Sequence, residues 1–156
     1  MRGKVPLSLD EAKASIALSA IAGGMHEIGD DLPALGADPE RLALVQNQHL
    51  IDMIKLGRAS KPLDLMSYLP EDDQPSIFWV AENDRQGMLT IFNWTDKPRS
   101  RSIEFSSLGL AALNQHRISD VFDGKALATP NPDSFDVDLP PHSAREGKIV
   151  NKVCSC

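Results

Sequence analysis

"GGMHEIGDDL", residues 23–32, decides how the chain is read. Two glycines lead into a short apolar run that ends, through Gly29, in the paired carboxylates Asp30 and Asp31. The run is too short for a helix and has the apolar content of a short buried strand. Adjacent carboxylates beside pliable backbone serve catalysis, a metal, or the capping of a loop. Neighbouring strand residues point to opposite faces, so Asp30 and Asp31 do not converge as a catalytic pair. For the same reason His26 and Glu27 do not share a metal. Gly23 and Gly24 suit a close backbone approach where the chain turns into the strand.

Both flanks read as helix. Upstream, "SLDE" at 8–11 is a capping box, with Ser8 at the cap and Glu11 reaching back. "AKASIALSAIA", residues 12–22, is small and apolar on nearly every side, which predicts a helix packed on more than one face. Downstream, "DPER" at 38–41 opens a second helix, with Asp38 at the cap, Pro39 in the first position and Glu40 at the positive end of the dipole. Leu42, Val45, Leu50, Met53, Ile54 and Leu56 fall on one broad arc, and Gly57 closes it as a left-handed cap. Asn47 and His49 interrupt this arc and read as satisfied helix side chains. The order is helix, strand, loop, helix, as in parallel α/β structure, where a strand needs a neighbour. No second strand of that kind follows.

The remainder is different in character. "SIFWVAEN" (76–83) and "GMLTIFNW" (87–94) are strands joined around Asp84-Arg85-Gln86. "SRSIEF", "HRISDVF", "KALAT", "FDVDL" and "SAREGKIV" follow, separated by turn signals such as Asp123-Gly124 and "PNPDS". Phe135, Val137 and Leu139 alternate with Asp136 and Asp138, giving one buried and one wet face. Short strands with regular turns suit an antiparallel β-sandwich.

Composition narrows the function classes. The chain has 156 residues, 42% hydrophobic and 24% charged, as in an ordinary globular protein. Its net charge is −6 with scattered Lys and Arg, which gives no basic footprint for nucleic acid. No apolar run approaches the roughly 20 residues needed to span a bilayer. The opening "MRGKVPLSLDEAK" lacks an apolar stretch of signal-peptide length, and the compartment stays unassigned. Cys154 and Cys156 in the terminal "CSC" are too close for a useful disulfide and lack nearby partners for a metal.

The order of parts resembles the C-terminal end of the α-galactosidase-type glycoside hydrolases (the melibiase clan). "SIALSAIAGGMHEIGDDL" (15–32) looks like that family's seventh barrel helix running into the eighth strand with its strand-end Asp. "LALVQNQHLIDMIKLG" (42–57) is similar to its last barrel helix, including an Asn near the middle, here Asn47. "FNWT" (92–95), "ISDVFDGK" (118–125) and "LPPHSARE" (139–146) resemble strands of its terminal sandwich. The resemblance covers about Leu7 to Val150. It implies an α+β chain: the final strand and helices of a (β/α)8 barrel over 1–58, a connection at 59–75, a C-terminal antiparallel β-sandwich at 76–150, and a tail at 151–156. It implies a retaining enzyme acting on terminal α-linked galactose or a related sugar, through two carboxylates about 5 Å apart. In the family both come from earlier strands, so the resemblance assigns no catalytic residue here, and the chain alone is expected to be inactive.

Strand ends of such a barrel open on the active site. The resemblance therefore makes Asp30, Asp31 and His26 candidates for the substrate mouth, with Asp31 the closer match to the strand-end Asp. Capping of the next loop is the competing role for both aspartates. No cofactor or metal is implied, and the partner is a carbohydrate substrate reached through the parent barrel. An orphan strand and an apolar helix face predict self-association of the isolated piece. The alternative is a stand-alone, non-catalytic carbohydrate-binding or interaction module, for which Trp79 and Trp94 would have to be exposed; sandwich tryptophans more often pack inside. "NWT" at 93–95 is a formal N-glycosylation sequon. "PLDLMSYLPEDDQPS" (62–76) reads as a solvated acidic connection without calcium-loop spacing.

Overall fold

The computed structural model describes residues 7–29, 31–109, 115–127 and 133–152. Helix α1, Leu9–Ile21, begins in the expected capping box: Glu11 N–H donates to Ser8 Oγ at 3.2 Å and Ser8 N–H to Glu11 Oε2 at 2.7 Å. Behind α1 the chain turns through Gly23, at φ +69°, where a Cβ would lie 2.2 Å from the Ala59 nitrogen. Only glycine fits there. Gly24 faces open space, so the close approach expected of both glycines belongs to Gly23 alone.

The strand expected over "GMHEIG", residues 24–29, does not form. Residues 25–29 carry no regular structure, and Met25 and Ile28 are 84% and 45% exposed. A strand is held by its neighbour's hydrogen bonds, and no described strand pairs with this segment. A short helix that the sequence did not announce follows: α2, Leu32–Gly36, with Asp31 as its N-cap and a proline in its first turn.

The single helix expected from Asp38 to Gly57 is broken in two. Helix α3 spans Pro39–Val45, capped by Asp38, and α4 spans Gln48–Lys55. Asn47 makes the break. Its Oδ1 accepts from His49 N–H at 3.0 Å and Leu50 N–H at 3.2 Å, which starts α4, while its Nδ2 donates to Val121 O at 2.8 Å. Asn47 is thus a helix cap tied to the β region, not a mid-helix side chain. Gly57, at φ +63°, ends the helix as expected.

Eight strands follow among the described residues: β1 Lys61–Pro62, β2 Ile77–Asn83, β3 Gln86–Asn93, β4 Arg99–Glu104, β5 Gln115–Asp120, β6 Ala126–Leu127, β7 Ser134–Leu139 and β8 Ser143–Lys152. All pairings are antiparallel. They form a six-stranded sheet in the order β1-β2-β3-β8-β5-β6 and a two-stranded sheet, β4-β7. The antiparallel sandwich is present, but it is lopsided, and helices cover the other face of the large sheet.

Three layers result. Leu89 and Ile91 of β3 face the small sheet and pack with Phe105, Ile118, Phe135 and Ile149. Met88 and Phe92, one residue out of step, face the helices and pack with Ala17, Ala20, Leu50 and Met53. β3 is therefore buried on both faces, as its near-continuous apolar run requires. Ala17 and Ala20, almost completely buried, let α1 lie close on the sheet. In β7, Phe135 and Leu139 point inward and Asp136 and Asp138 outward, as the alternation demanded.

The connection at 62–76 departs from its reading as a solvated acidic face. Asp64 is buried and accepts from Ser76 N–H and Oγ, both at 2.9 Å, and from Ile77 N–H at 3.1 Å. Asp72, also buried, takes Arg99 at 2.9 Å on one oxygen and Arg101 at 2.6 Å on the other. The carboxylates are inside because their partners, distant in sequence, meet them there.

Candidate functional site

His26, Glu27, Ile28 and Asp31 form one wall of a cavity of about 550 Å³ whose other walls are α1, α2 and α3. Its polar lining comes from Ser19, His26, Glu27, Asp31, Asp38 and Arg41, set among apolar side chains such as Ile16, Ile28 and Leu44. The capping box starts α1 so that Ser19 lies near the end of the helix. The turn at Gly23 then brings His26 back beside it. His26 is half-buried, with Nδ1 2.8 Å from Ser19 Oγ. That contact orients the imidazole and leaves its other nitrogen free of this bond.

Asp31 lines the same cavity, but its Oδ1 accepts the Ala34 amide at 3.3 Å as the cap of α2. The loop-capping role is thus the one visible in the geometry. Asp30 lies outside the described residues, as do Cys154 and Cys156. Two of the three mouth candidates, His26 and Asp31, therefore share one cavity, and each has its own structural partner.

Sequence reasoning missed Arg41 here and read Asp38 only as a cap. Asp38 accepts the Arg41 amide at 3.1 Å and pairs with the Arg41 side chain at 3.2 Å. The Arg41 guanidinium also donates to the Leu7 carbonyl. The spacing of three between Asp38 and Arg41 at a helix start was the available signal. Chemically the cavity offers donors and acceptors suited to hydroxyl groups. Among the described residues no cluster of three or more His, Cys, Asp or Glu could hold a metal ion.

The other flagged residues are engaged in packing. Trp79 is buried in the core between the sheets. Trp94 stacks on Phe92, ring centroids 4.3 Å apart, and donates its indole N–H to Pro75 O at 2.9 Å. Asn93 of the sequon is fully buried, its Nδ2 donating to Lys97 O and Pro140 O at 2.8 Å and to Leu139 O at 3.2 Å. An amide committed in this way cannot carry a glycan in the folded chain. No helix among the described residues is long and apolar enough to cross a membrane.

The sequence matches no family model, and no curated protein matches it. Solved structures do match. α-Galactosidase I of Mortierella vinacea superposes with a TM-score of 0.77 at 13% identity, covering 95% of this chain and 37% of that one. The α-galactosidase of Saccharomyces cerevisiae gives 0.77 at 11% identity, over 96% of this chain and 45% of its own. A GH27 β-L-arabinopyranosidase from Geobacillus stearothermophilus gives 0.75 at 16%, over 96% and 32%. The chain thus spans less than half the length of each of these enzymes. Its mixed helices and antiparallel sheets match the C-terminal domain of these glycoside hydrolases, and the chain has an α-galactosidase-like fold.

Proposed function

We propose that the chain is the C-terminal part of a retaining, α-galactosidase-like glycoside hydrolase acting on terminal α-linked galactose or a related sugar. In this reading residues 1–58 complete a (β/α)8 barrel and residues 76–150 form the sandwich packed against it. One observation carries the proposal. The chain overlays these enzymes along about 95% of its length, yet no described strand pairs with residues 25–29, and Met25 and Ile28 are exposed. An unpaired segment with outward apolar side chains is what an orphaned barrel strand would look like without its neighbours.

The two carboxylates of a retaining mechanism, about 5 Å apart, are assigned to the remainder of the barrel, and none is assigned to this chain. The part left to this chain is positional. In this reading the segment is a barrel strand whose C-terminal end opens on the substrate, and His26, Asp30 and Asp31 are assigned to the mouth. Asp31 orders that mouth by fixing the start of α2. His26, oriented by Ser19, is the candidate for a sugar hydroxyl.

The purified chain is expected to give no turnover of an aryl α-galactoside above a blank; turnover would contradict the assignment of the catalytic pair elsewhere. Galactose and methyl α-galactoside, titrated by calorimetry, are expected to show no saturable binding. Saturable binding by the chain alone would bring forward the independent carbohydrate-binding module instead.

A further inference from the structure

Glu146 lies at the middle of β8, opposite Thr90 of β3, on the face of the large sheet that α1 covers. The same face carries Met88 and Phe92 on β3 and Ala144 on β8, so the carboxyl is set into an apolar seam between helix and sheet. It is fully buried. One oxygen, Oε1, accepts the Thr90 hydroxyl at 3.0 Å; the other, Oε2, has no hydrogen-bond partner among the described residues.

The charged groups on the surrounding elements are engaged elsewhere. Lys148, the next residue on this face of β8, pairs with Glu82 at 3.3 Å. Lys13 of α1 pairs with Asp10 at 3.9 Å and lies 5.9 Å over the Phe122 ring. Asp120 of β5, whose negative charge adds to the cost of ionising Glu146, is held by Arg145 at 2.6 Å. On α4, His49, Asp52 and Lys55 are exposed and so face away from the seam.

With one oxygen unpartnered and no cation beside it among the described residues, the carboxylate carries a desolvation penalty there that the protonated acid does not. Releasing α1 would admit water to the seam and remove the penalty. We propose that Glu146 is a proton-gated latch between α1 and the sheet: α1 stays docked while the carboxyl is neutral, and ionisation favours its release.

The direction follows from linkage. Burial, opposed by the Thr90 hydrogen bond and assisted by Asp120, raises the Glu146 pKa from 4.5 to about 8. The docked form therefore holds a proton that the opened form gives up. Docking is strongest below pH 4.5, weakens as pH rises toward 8, and changes little above it. Within that window the opening equilibrium rises about tenfold per pH unit.

The latch is tested on the full 156-residue chain by hydrogen exchange of the α1 amides, expressed as protection factors to remove the intrinsic pH dependence. Between about pH 6 and pH 8, wild-type protection is expected to fall about fiftyfold, whereas in Glu146→Gln, which cannot ionise, it should stay level. An equal fall in both proteins would overturn the proposal. Should Glu146→Gln not fold, Glu146→Leu takes its place under the same criterion. A variant-free check is the Glu146 side-chain carboxyl carbon, followed by NMR in the wild type. A midpoint near 8 supports the latch, and one below about 6 overturns it.

Discussion

Asn93 answers five hydrogen-bonding needs at one bend. Its amide nitrogen reaches three carbonyls, while its oxygen accepts from the Thr95 N–H at 3.1 Å and the Thr95 hydroxyl at 2.8 Å. Asn93→Ala should cost roughly 3 kcal/mol in urea unfolding, because it leaves buried carbonyls without donors. Asp72 is a second such point. Its carboxylate is the shared partner of Arg99 and Arg101, and Asp72→Ala strands both guanidinium groups. A loss of about 3 kcal/mol or more is expected by the same measurement, with Asp72→Asn intermediate. A loss under about 0.5 kcal/mol would show that the pair is solvent-screened. Neither role was legible in the sequence. The sequon motif describes three consecutive residues, but the carbonyls that hold Asn93 come from Lys97, Leu139 and Pro140. Likewise the acidic connection gave no hint that arginines on β4 would draw Asp72 inside.

At the level of elements, what could be read depended on how local the cause was. The capping box of α1, the glycine cap at Gly57 and the β2–β3 turn are set by neighbours in sequence, and each was readable. The break at Asn47 was not. The apolar arc continues from Leu42 to Leu56 on either side of Asn47 and His49, while the competing signal is one side chain that bonds both to α4 and to Val121 O. Asn47→Ala should cost about 2 kcal/mol, from the lost cap and the lost long-range bond together. Asn47→Asp keeps the cap and loses only the donor, so it should cost about half as much. Equal costs for the two variants would contradict the division of labour. The strand expected over 24–29 is missing for the opposite reason: its apolar pattern is local, but a strand also needs a paired neighbour, and no described strand pairs with this segment.

On the scale of the whole molecule, the two cores on either side of β3 tie helices and sheets together, as the distribution of strands between the sheets could not reveal in advance. Of the candidate site, the sequence showed His26 and Asp31 but not the cavity that they share, because α2 and the turn at Gly23 create it. The exposed apolar side chains Met25, Ile28 and Leu32 gather around this segment. The isolated chain should therefore self-associate, and sedimentation velocity should show association falling in the double variant Met25→Asp, Ile28→Asp. Association unchanged by these charges would place the contact elsewhere. If the chain completes a longer glycosidase, as proposed, its reading frame continues upstream. The most direct test is to sequence the source DNA upstream of Met1 and translate it in frame. An open frame encoding further strand–helix units with aspartates at their strand ends is the expected result; an in-frame stop immediately upstream would overturn the proposal.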